Sequence, residues 1–290
     1  MEKRILMLAV ITAVGVLASA SIAGGPLGPP KAFVGHGKWL IDVEYAQEDM
    51  DLKSTGRARS YFYDAGAWTP VENTFTKFNI KGIESDVIFG SLAYGLWENW
   101  DVYVRLGAAN AKDDMQERGP FAVPGESYNF DGSHGFACGF GTRTTFRQYG
   151  RWTFGAVGQV TWINPGDDDV SWSGEVEDAT STISGDVELD WWQFQAGLGA
   201  TYQADGWWIY GGPCLFFVNG DLDAKLTETV DGDQYRYKYR HDLREESEFG
   251  GWFGVGCQLT RDTSCYAEYQ IYKDGWVLGV GMALSLPVGK

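Results

Sequence analysis

Hydrophobic and polar residues alternate with a period of two through most of the chain. Between residues 38 and 47, Trp39, Ile41 and Val43 alternate with Asp42 and Glu44. Such alternation is typical of β-strands whose two faces lie in different environments. The pattern predicts ten strands, over residues 38–47, 75–96, 101–111, 134–148, 152–164, 187–203, 207–222, 247–260, 265–273 and 275–286.

The connections between these strands alternate in length. Short turns are expected around Glu98, Gly150, Asp205 and Asp262, whereas long polar connections separate the other strands, apart from one tight turn near Asp274. Short turns at one end and long loops at the other are typical of a membrane-inserted barrel. The sequence therefore predicts an all-β, transmembrane, antiparallel up-and-down β-barrel with long extracellular loops and short periplasmic turns. Eight or twelve strands are the alternatives, because residues 53–83 could form one extra hairpin.

Tryptophan residues collect at both ends of the predicted strands. Trp152 and Trp162 lie on one face, and their spacing corresponds to about 33 Å along a strand, or about 23 Å in height at a tilt near 45°. This height matches the apolar band of a membrane barrel, which is bounded by two aromatic girdles. The predicted girdle consists of Trp97, Trp100, Trp152, Trp162, Trp192, Trp207, Trp208 and Trp276. The alternative, an aromatic core of a soluble sandwich, does not explain their position at both strand ends.

Composition excludes several other classes of protein. Aromatic residues make up 15% and charged residues 21% of the 290 residues, which is incompatible with a disordered chain. The formal net charge of −16 argues against a nucleic-acid partner, which would require a positive surface.

The first residues have the pattern of a secretory signal peptide. Lys3 and Arg4 precede an apolar run, and small residues follow it. We expect the signal peptide to cover residues 1–20, with residue 23 as the alternative end; an uncleaved anchor would need about 20 apolar residues. Residues 21–37 are predicted to form a flexible leader outside any core, because they contain the run GGPLGPP. Residues 38–290 then form the barrel.

The predicted lumen carries charges of both signs. Its polar lining is expected to comprise Asp42, Glu44, Tyr103, Arg105, Arg143, Arg147, Gln159, Glu248 and Glu268. A ten-stranded barrel is only somewhat wider than the eight-stranded kind that side chains fill. Buried charges need partners, so an ion-pair network that fills the lumen is favoured over a narrow solute path.

Two further features concern the side chains outside this lining. Cys257 and Cys265 are expected opposite each other, either as a disulfide or as two small lipid-facing residues.

Residues 226–240 are predicted to form a hairpin that projects from the membrane. Its tyrosines alternate with arginine and lysine, so it is either a stiff ribbon or a contact surface for a polyanionic sugar. No metal site is expected.

The last predicted strand carries the residues on which a family resemblance rests. The run Gly281-Met282-Ala283-Leu284-Ser285-Leu286 is similar to the Gly-x-x-Φ-x-Φ carboxy-terminal signal of outer-membrane β-barrels of Gram-negative-type bacteria, where Φ is apolar. The chain departs from that signal by ending in Pro287-Val288-Gly289-Lys290 rather than in an aromatic residue. With the strand pattern of residues 38–290, the chain resembles this superfamily. The resemblance implies a monomer in the cell outer membrane, in contact with its lipids and lipopolysaccharide, that is assembled by the barrel-assembly machinery.

The expected function is structural or surface-interacting. A narrow porin-like channel for passive diffusion of small solutes is the alternative, and an outer-membrane enzyme such as a protease or lipid hydrolase is the second. The ten-stranded proteases of the omptin family use an Asp-x-His pair, but residue 239, two positions before His241, is Tyr. No catalytic residue and no cofactor are therefore expected.

Overall fold

The computed structural model describes residues 24–116, 127–176, 179–245, 249–273 and 275–286. The predicted signal peptide and the residues after Leu286 lie outside this part of the chain. The strands are β1 (Trp39–Asp64), β2 (Ala67–Trp97), β3 (Trp100–Ala109), β4 (Lys112–Gln116), β5 (Ser127–Asp131), β6 (Gly135–Tyr149), β7 (Trp152–Asn164), β8 (Asp168–Val176), β9 (Ala179–Ala204), β10 (Trp207–Val230), β11 (Asp233–Glu245), β12 (Phe249–Gln258), β13 (Thr263–Tyr272) and β14 (Gly275–Leu286).

Ten of these strands close into a ring of antiparallel pairs. In order around the ring they are β1, β2, β3, β6, β7, β9, β10, β12, β13 and β14, and β14 pairs back onto β1. Closure removes the free edges that an open sheet would expose. The prediction of an antiparallel barrel with about ten strands is thus confirmed. We call the end with the short turns at residues 98–99, 150–151, 205–206 and 259–262 the lower end.

The opposite, upper end is built differently, because one strand takes the place of three. β12 and β14 pair with the lower parts of β10 and β1, with β13 between them, and β11 pairs with Asn219–Val230 of β10 and Leu52–Phe62 of β1 above them. We call the upper parts of β2, β1, β11 and β10 the upper wall. Residues 53–83, which the sequence allows to form one extra hairpin, instead continue β1 and β2 outward.

The two faces of the ring have the polarity of a membrane barrel. Large apolar side chains on the outer face remain exposed, such as Leu106 at 61% and Phe140 at 59%, whereas Arg105 on the inner face is 1% exposed. The inner face is apolar toward the upper end, where Met50, Leu52 and Ile83 belong to one buried cluster. Within the described residues, no helix has the length and apolar character needed to cross a membrane.

The segment before the first strand lies inside the barrel. Residues 24–30 are buried, and Leu27 is fully enclosed. This corrects the expectation that residues 21–37 form a flexible leader outside any core. Glycine and proline make the segment narrow and rich in unpaired backbone groups, and the inner wall supplies partners for those groups.

Candidate functional site

Seven predicted lining residues face the lumen and are buried there. They are Asp42, Glu44, Tyr103, Arg105, Arg143, Gln159 and Glu268. The two arginines stack on aromatic rings, Arg105 on Phe89 at 4.6 Å and Arg143 on Tyr103 at 4.5 Å from guanidinium carbon to ring centroid. Arg105 also lies 3.7 Å from the Glu44 carboxylate, to which Tyr266 donates a hydrogen bond of 2.6 Å. The charges are therefore held in contact with one another and with rings.

Two predicted lining residues are not part of this network. Arg147 is exposed on the outer face, where it lies opposite Phe154, so its assignment to the lumen is wrong. The cause is a β-bulge between Thr145 and Arg147, which adds one residue and reverses the alternation of faces. Glu248 lies outside the described residues.

The N-terminal segment is bound to the inner wall along its length. The Glu268 carboxylate accepts hydrogen bonds from the backbone N–H groups of Leu27 at 2.7 Å and Gly28 at 2.8 Å. Asp101 accepts one from the Phe33 N–H at 2.7 Å, and Trp252 donates to the Gly28 carbonyl at 3.2 Å. These side chains supply the hydrogen bonds that a neighbouring strand would supply to the segment in a sheet. The alternation of polar and apolar residues shows which wall residues face inward. It does not indicate that the N-terminal segment occupies the lumen between them.

Aromatic residues form the two expected belts on the outer face. At the lower end, Trp97 contacts Trp100 and Trp152 contacts Tyr202, which in turn contacts Trp207. At the upper end, Trp162 contacts Trp192, and Trp276 stacks on Tyr269. Trp208 is the exception to the predicted girdle. It alternates with exposed Trp207 and Ile209, packs against the buried cluster, and lies under the Lys31 ammonium at 5.7 Å.

The two predicted cysteine partners lie directly across from each other. Cys257 of β12 and Cys265 of β13 are paired in register, and their sulfur atoms are 3.2 Å apart as free thiols.

The upper wall presents a concentration of positive charge on its outer face. Along β1 and β11, Arg57 lies opposite Arg240 and Arg59 lies opposite Lys238. Lys238 also lies opposite Lys225 on β10. Like charges directly across an antiparallel pair are destabilising. We call Arg57, Arg59, Lys225, Lys238 and Arg240 the basic face.

A groove of about 450 Å³ lies among these side chains, with Phe75 on its wall. Two carboxylates also line the groove, Asp223 and Asp242. Asp223 accepts a hydrogen bond of 3.0 Å from Arg240, and Glu188 lies 3.6 Å from Lys225. The contact with Asp223 raises the pKa of the exposed Arg240 guanidinium. In the described part of the chain, Arg57 and Arg59 make no ion pair, so the groove, with five cations against two carboxylates, keeps a net positive charge.

The tyrosines of the predicted hairpin lie on the other face of the same strands. Tyr239 is buried beneath the basic face, and Tyr237 donates a hydrogen bond of 2.7 Å to Glu228. Burial raises the pKa of Tyr239 to about 12. The predicted hairpin is therefore present as β10 and β11, with its aromatic face inward and its basic face outward.

A buried polar contact fixes the three central strands of the upper wall. His241 of β11 lies between the hydroxyls of Ser54 on β1 and Thr76 on β2, each 2.9 Å from one ring nitrogen. Burial lowers the pKa of His241. The contact was not anticipated from the sequence, because the register that brings Ser54 to His241 depends on the extension of β1.

The fold is similar to several solved membrane barrels. The translocator domain of autotransporter NalP from Neisseria meningitidis shares 12% identity, with 86% of this chain and 88% of that chain covered and a TM-score of 0.39. The toluene transporter TodX from Pseudomonas putida shares 10% identity, with 86% and 89% covered and a TM-score of 0.36. The outer membrane protein OprG from Pseudomonas aeruginosa shares 10% identity, with 89% and 100% covered and a TM-score of 0.30. No protein-family model and no curated protein matches the sequence. The strand pairing and the exposed apolar band give this chain the architecture of an outer-membrane β-barrel.

Proposed function

We propose that this protein is an outer-membrane barrel with a filled lumen, and that its basic face binds an anionic cell-surface polysaccharide such as the phosphorylated sugars of lipopolysaccharide. The observation that carries the proposal is the set of cation pairs that face each other across β1, β11 and β10.

The register of the upper wall supports an anionic ligand. Each of the pairs Arg57 with Arg240, Arg59 with Lys238, and Lys225 with Lys238 weakens the wall by itself. The chain has 39 acidic and 23 basic residues, so this concentration of cations is not a reflection of overall composition. Binding of phosphate or carboxylate groups between the cations would turn the repulsion into attraction, and arginine can hold such groups through two hydrogen bonds.

The height of the basic face favours a sugar over a lipid headgroup. Arg57 lies eight residues beyond Asp49, which pairs with Trp276 of the upper girdle. At about 3.3 Å per residue and a tilt near 45°, it lies roughly 19 Å above that girdle. Phe75 and Tyr61 add aromatic surface beside the cations, and Lys238 lies 5.7 Å from the Tyr61 ring. Sugar rings commonly pack their apolar faces on aromatic residues, so this mixture suits a charged glycan.

The test is binding of purified lipopolysaccharide and of its lipid-free core oligosaccharide to the folded protein in detergent. The triple variant Arg57→Gln, Arg59→Gln, Lys238→Gln should raise Kd for both ligands by about tenfold or more, which is about 1.4 kcal/mol. The affinity of the unaltered protein should fall as salt concentration rises.

A matched control removes the same number of charges at the lower end. The variant Arg147→Gln, Arg151→Gln, Arg261→Gln alters exposed residues and should leave Kd within about twofold, as expected for charges beyond one Debye length from the site. Equal losses in both variants would mean that only net charge matters. Binding of whole lipopolysaccharide without binding of the core sugar would assign recognition to the lipid.

Passive diffusion through the lumen is disfavoured as a function because the N-terminal segment and the arginine network occupy it. The geometry of the described residues does not favour a catalytic role either. The hydroxyl–imidazole contact of Ser54 and His241 is buried, and the second ring nitrogen contacts Thr76 rather than a carboxylate.

A further inference from the structure

Glu48 is a buried carboxylate in the lumen, and within the described residues no cation forms an ion pair with it. It is 1% exposed, and its Oε2 atom accepts hydrogen bonds from the backbone nitrogen of Gly24 at 2.7 Å and from Gln193 at 3.0 Å. Its Oε1 atom is buried without a hydrogen-bond partner. Two other lumen acids have more partners: Arg105 lies beside Glu44, and Glu268 accepts hydrogen bonds from Tyr210, Gln270 and two backbone groups. A buried charge that lacks a counter-ion is strongly unfavourable.

A second unpartnered acceptor lies at the same place. The Oε1 atom of Gln193 is buried without a hydrogen-bond partner and lies so close to Gly24 that a β-carbon there would overlap it. An amide nitrogen at Gly24 has one hydrogen, which Glu48 already accepts. An α-ammonium group has three, and it carries the positive charge that Glu48 lacks.

Gly24 is also fixed on its carbonyl side. Arg105 donates a hydrogen bond of 2.6 Å to the Gly24 carbonyl, and Thr161 donates another at 3.2 Å. Gly24 is thus held by one acceptor at its nitrogen and two donors at its oxygen, and the unpartnered Gln193 Oε1 atom lies beside it. The residues before it, Ser21-Ile22-Ala23, have the small-x-small pattern that signal-type endopeptidases cleave.

We propose that the chain is processed at the Ala23–Gly24 bond, and that the new α-ammonium group of Gly24 is the counter-ion of Glu48. The step is a hydrolysis by an endopeptidase of the signal-peptidase class: water adds to the Ala23 carbonyl carbon, the peptide bond breaks, Ala23 keeps the carboxylate and the Gly24 nitrogen takes up the protons. Removal of the leader thereby creates the ion pair that holds the N-terminal segment in the lumen. This inference is independent of the basic face.

The first experiment is intact-mass measurement and N-terminal sequencing of the protein isolated from outer membranes. The result expected is a chain that begins at Gly24. A chain that begins at Ser21, or one that keeps its leader, would overturn the proposal.

The second experiment tests the ion pair through the reactivity of the α-amino group, which a purely structural role of Glu48 would not change. The protein that begins at Gly24 is refolded in detergent, and labelling of its α-amino group by an amine-reactive reagent is followed near neutral pH. Labelling should be slower by about tenfold or more than in the unfolded chain, because an ion-paired, buried amine stays protonated. In Glu48→Gln the α-amino group should label faster than in the unaltered protein, and in the control Glu98→Gln, which alters an exposed carboxylate in a lower-end turn, it should not.

Folding of the variants is monitored by the difference in gel mobility between unheated and heated samples. If Glu48→Gln does not fold, a third comparison replaces it: a chain extended by Ser21-Ile22-Ala23, which keeps Glu48 but removes the ammonium from residue 24, should unfold at a lower temperature than the chain that begins at Gly24. Equal melting of these two chains, or equal labelling with and without Glu48, would contradict the ion pair.

Discussion

The lumen and the upper wall use the same charged side chains in opposite ways. In the lumen, Arg105 and Arg143 are buried and stack on aromatic rings, and Arg105 also contacts the Glu44 carboxylate and the Gly24 carbonyl. On the upper wall, Arg57 and Arg59 are exposed and face other cations. The enclosed arginines are held by partners within the barrel, whereas the exposed arginines lie beside like charges. That arrangement weakens the wall unless an anion binds there, as we propose.

The largest effect is expected from a change in the lumen. Arg105→Met keeps most of the side-chain volume but removes the cation beside Glu44 and one of the two donors to the Gly24 carbonyl. The free energy of unfolding should fall by about 3–5 kcal/mol, as measured when one member of a buried ion pair is removed. Urea unfolding in detergent micelles measures this change. The control Arg147→Met alters an exposed arginine beyond the bulge and should change stability by less than about 0.5 kcal/mol.

A smaller effect on stability is expected when a fall in pH protonates His241 in the upper wall. Burial lowers the pKa of His241 from its ordinary value of 6.5, so the unfolded wall takes up this proton at a higher pH than the folded wall. The stability that neutral His241 contributes is complete above pH 6.5 and declines as the pH falls through 6.5 toward the lower folded pKa. Limited proteolysis of β11 should therefore be faster at about pH 5 than at about pH 7.5.

Two variants test whether His241 is the residue that causes this pH dependence. His241→Gln should reduce the change between the two pH values, and His134→Gln, which alters an exposed histidine, should leave it intact. An unchanged pH dependence in His241→Gln would assign the effect to other groups.

The smallest change in the free energy of unfolding is expected from a substitution in the basic face. Unlike the first change, it is an increase. Arg57→Gln removes one member of a like-charge pair and should raise the free energy of unfolding by about 0.2–1 kcal/mol. Arg240→Gln relieves the same repulsion but also breaks the contact with Asp223, so its gain should be smaller. A clear loss of stability in Arg57→Gln would show that the wall depends on this charge for folding.

The sequence predicted the lower half of the barrel and the hairpin at residues 226–240 closely, but it did not predict the upper parts of β1 and β2, for a physical reason. Alternation is visible in residues 38–47 because one face meets lipid and the other meets a polar lumen. In the upper parts of β1 and β2 neither face meets lipid, so the signal disappears although the strands continue. The bulge before Arg147 and the insertion of residues 24–30 depend on contacts between distant parts of the chain, and no local pattern records them.

The central claim is that the N-terminal segment fills the lumen of a closed barrel. It is tested most directly by planar-bilayer conductance of the intact mature protein beside a variant that lacks residues 24–34. A lumen filled by this segment predicts no steady single-channel steps from the intact protein and measurable steps from the shortened one. Steady steps of equal size from both proteins would contradict it.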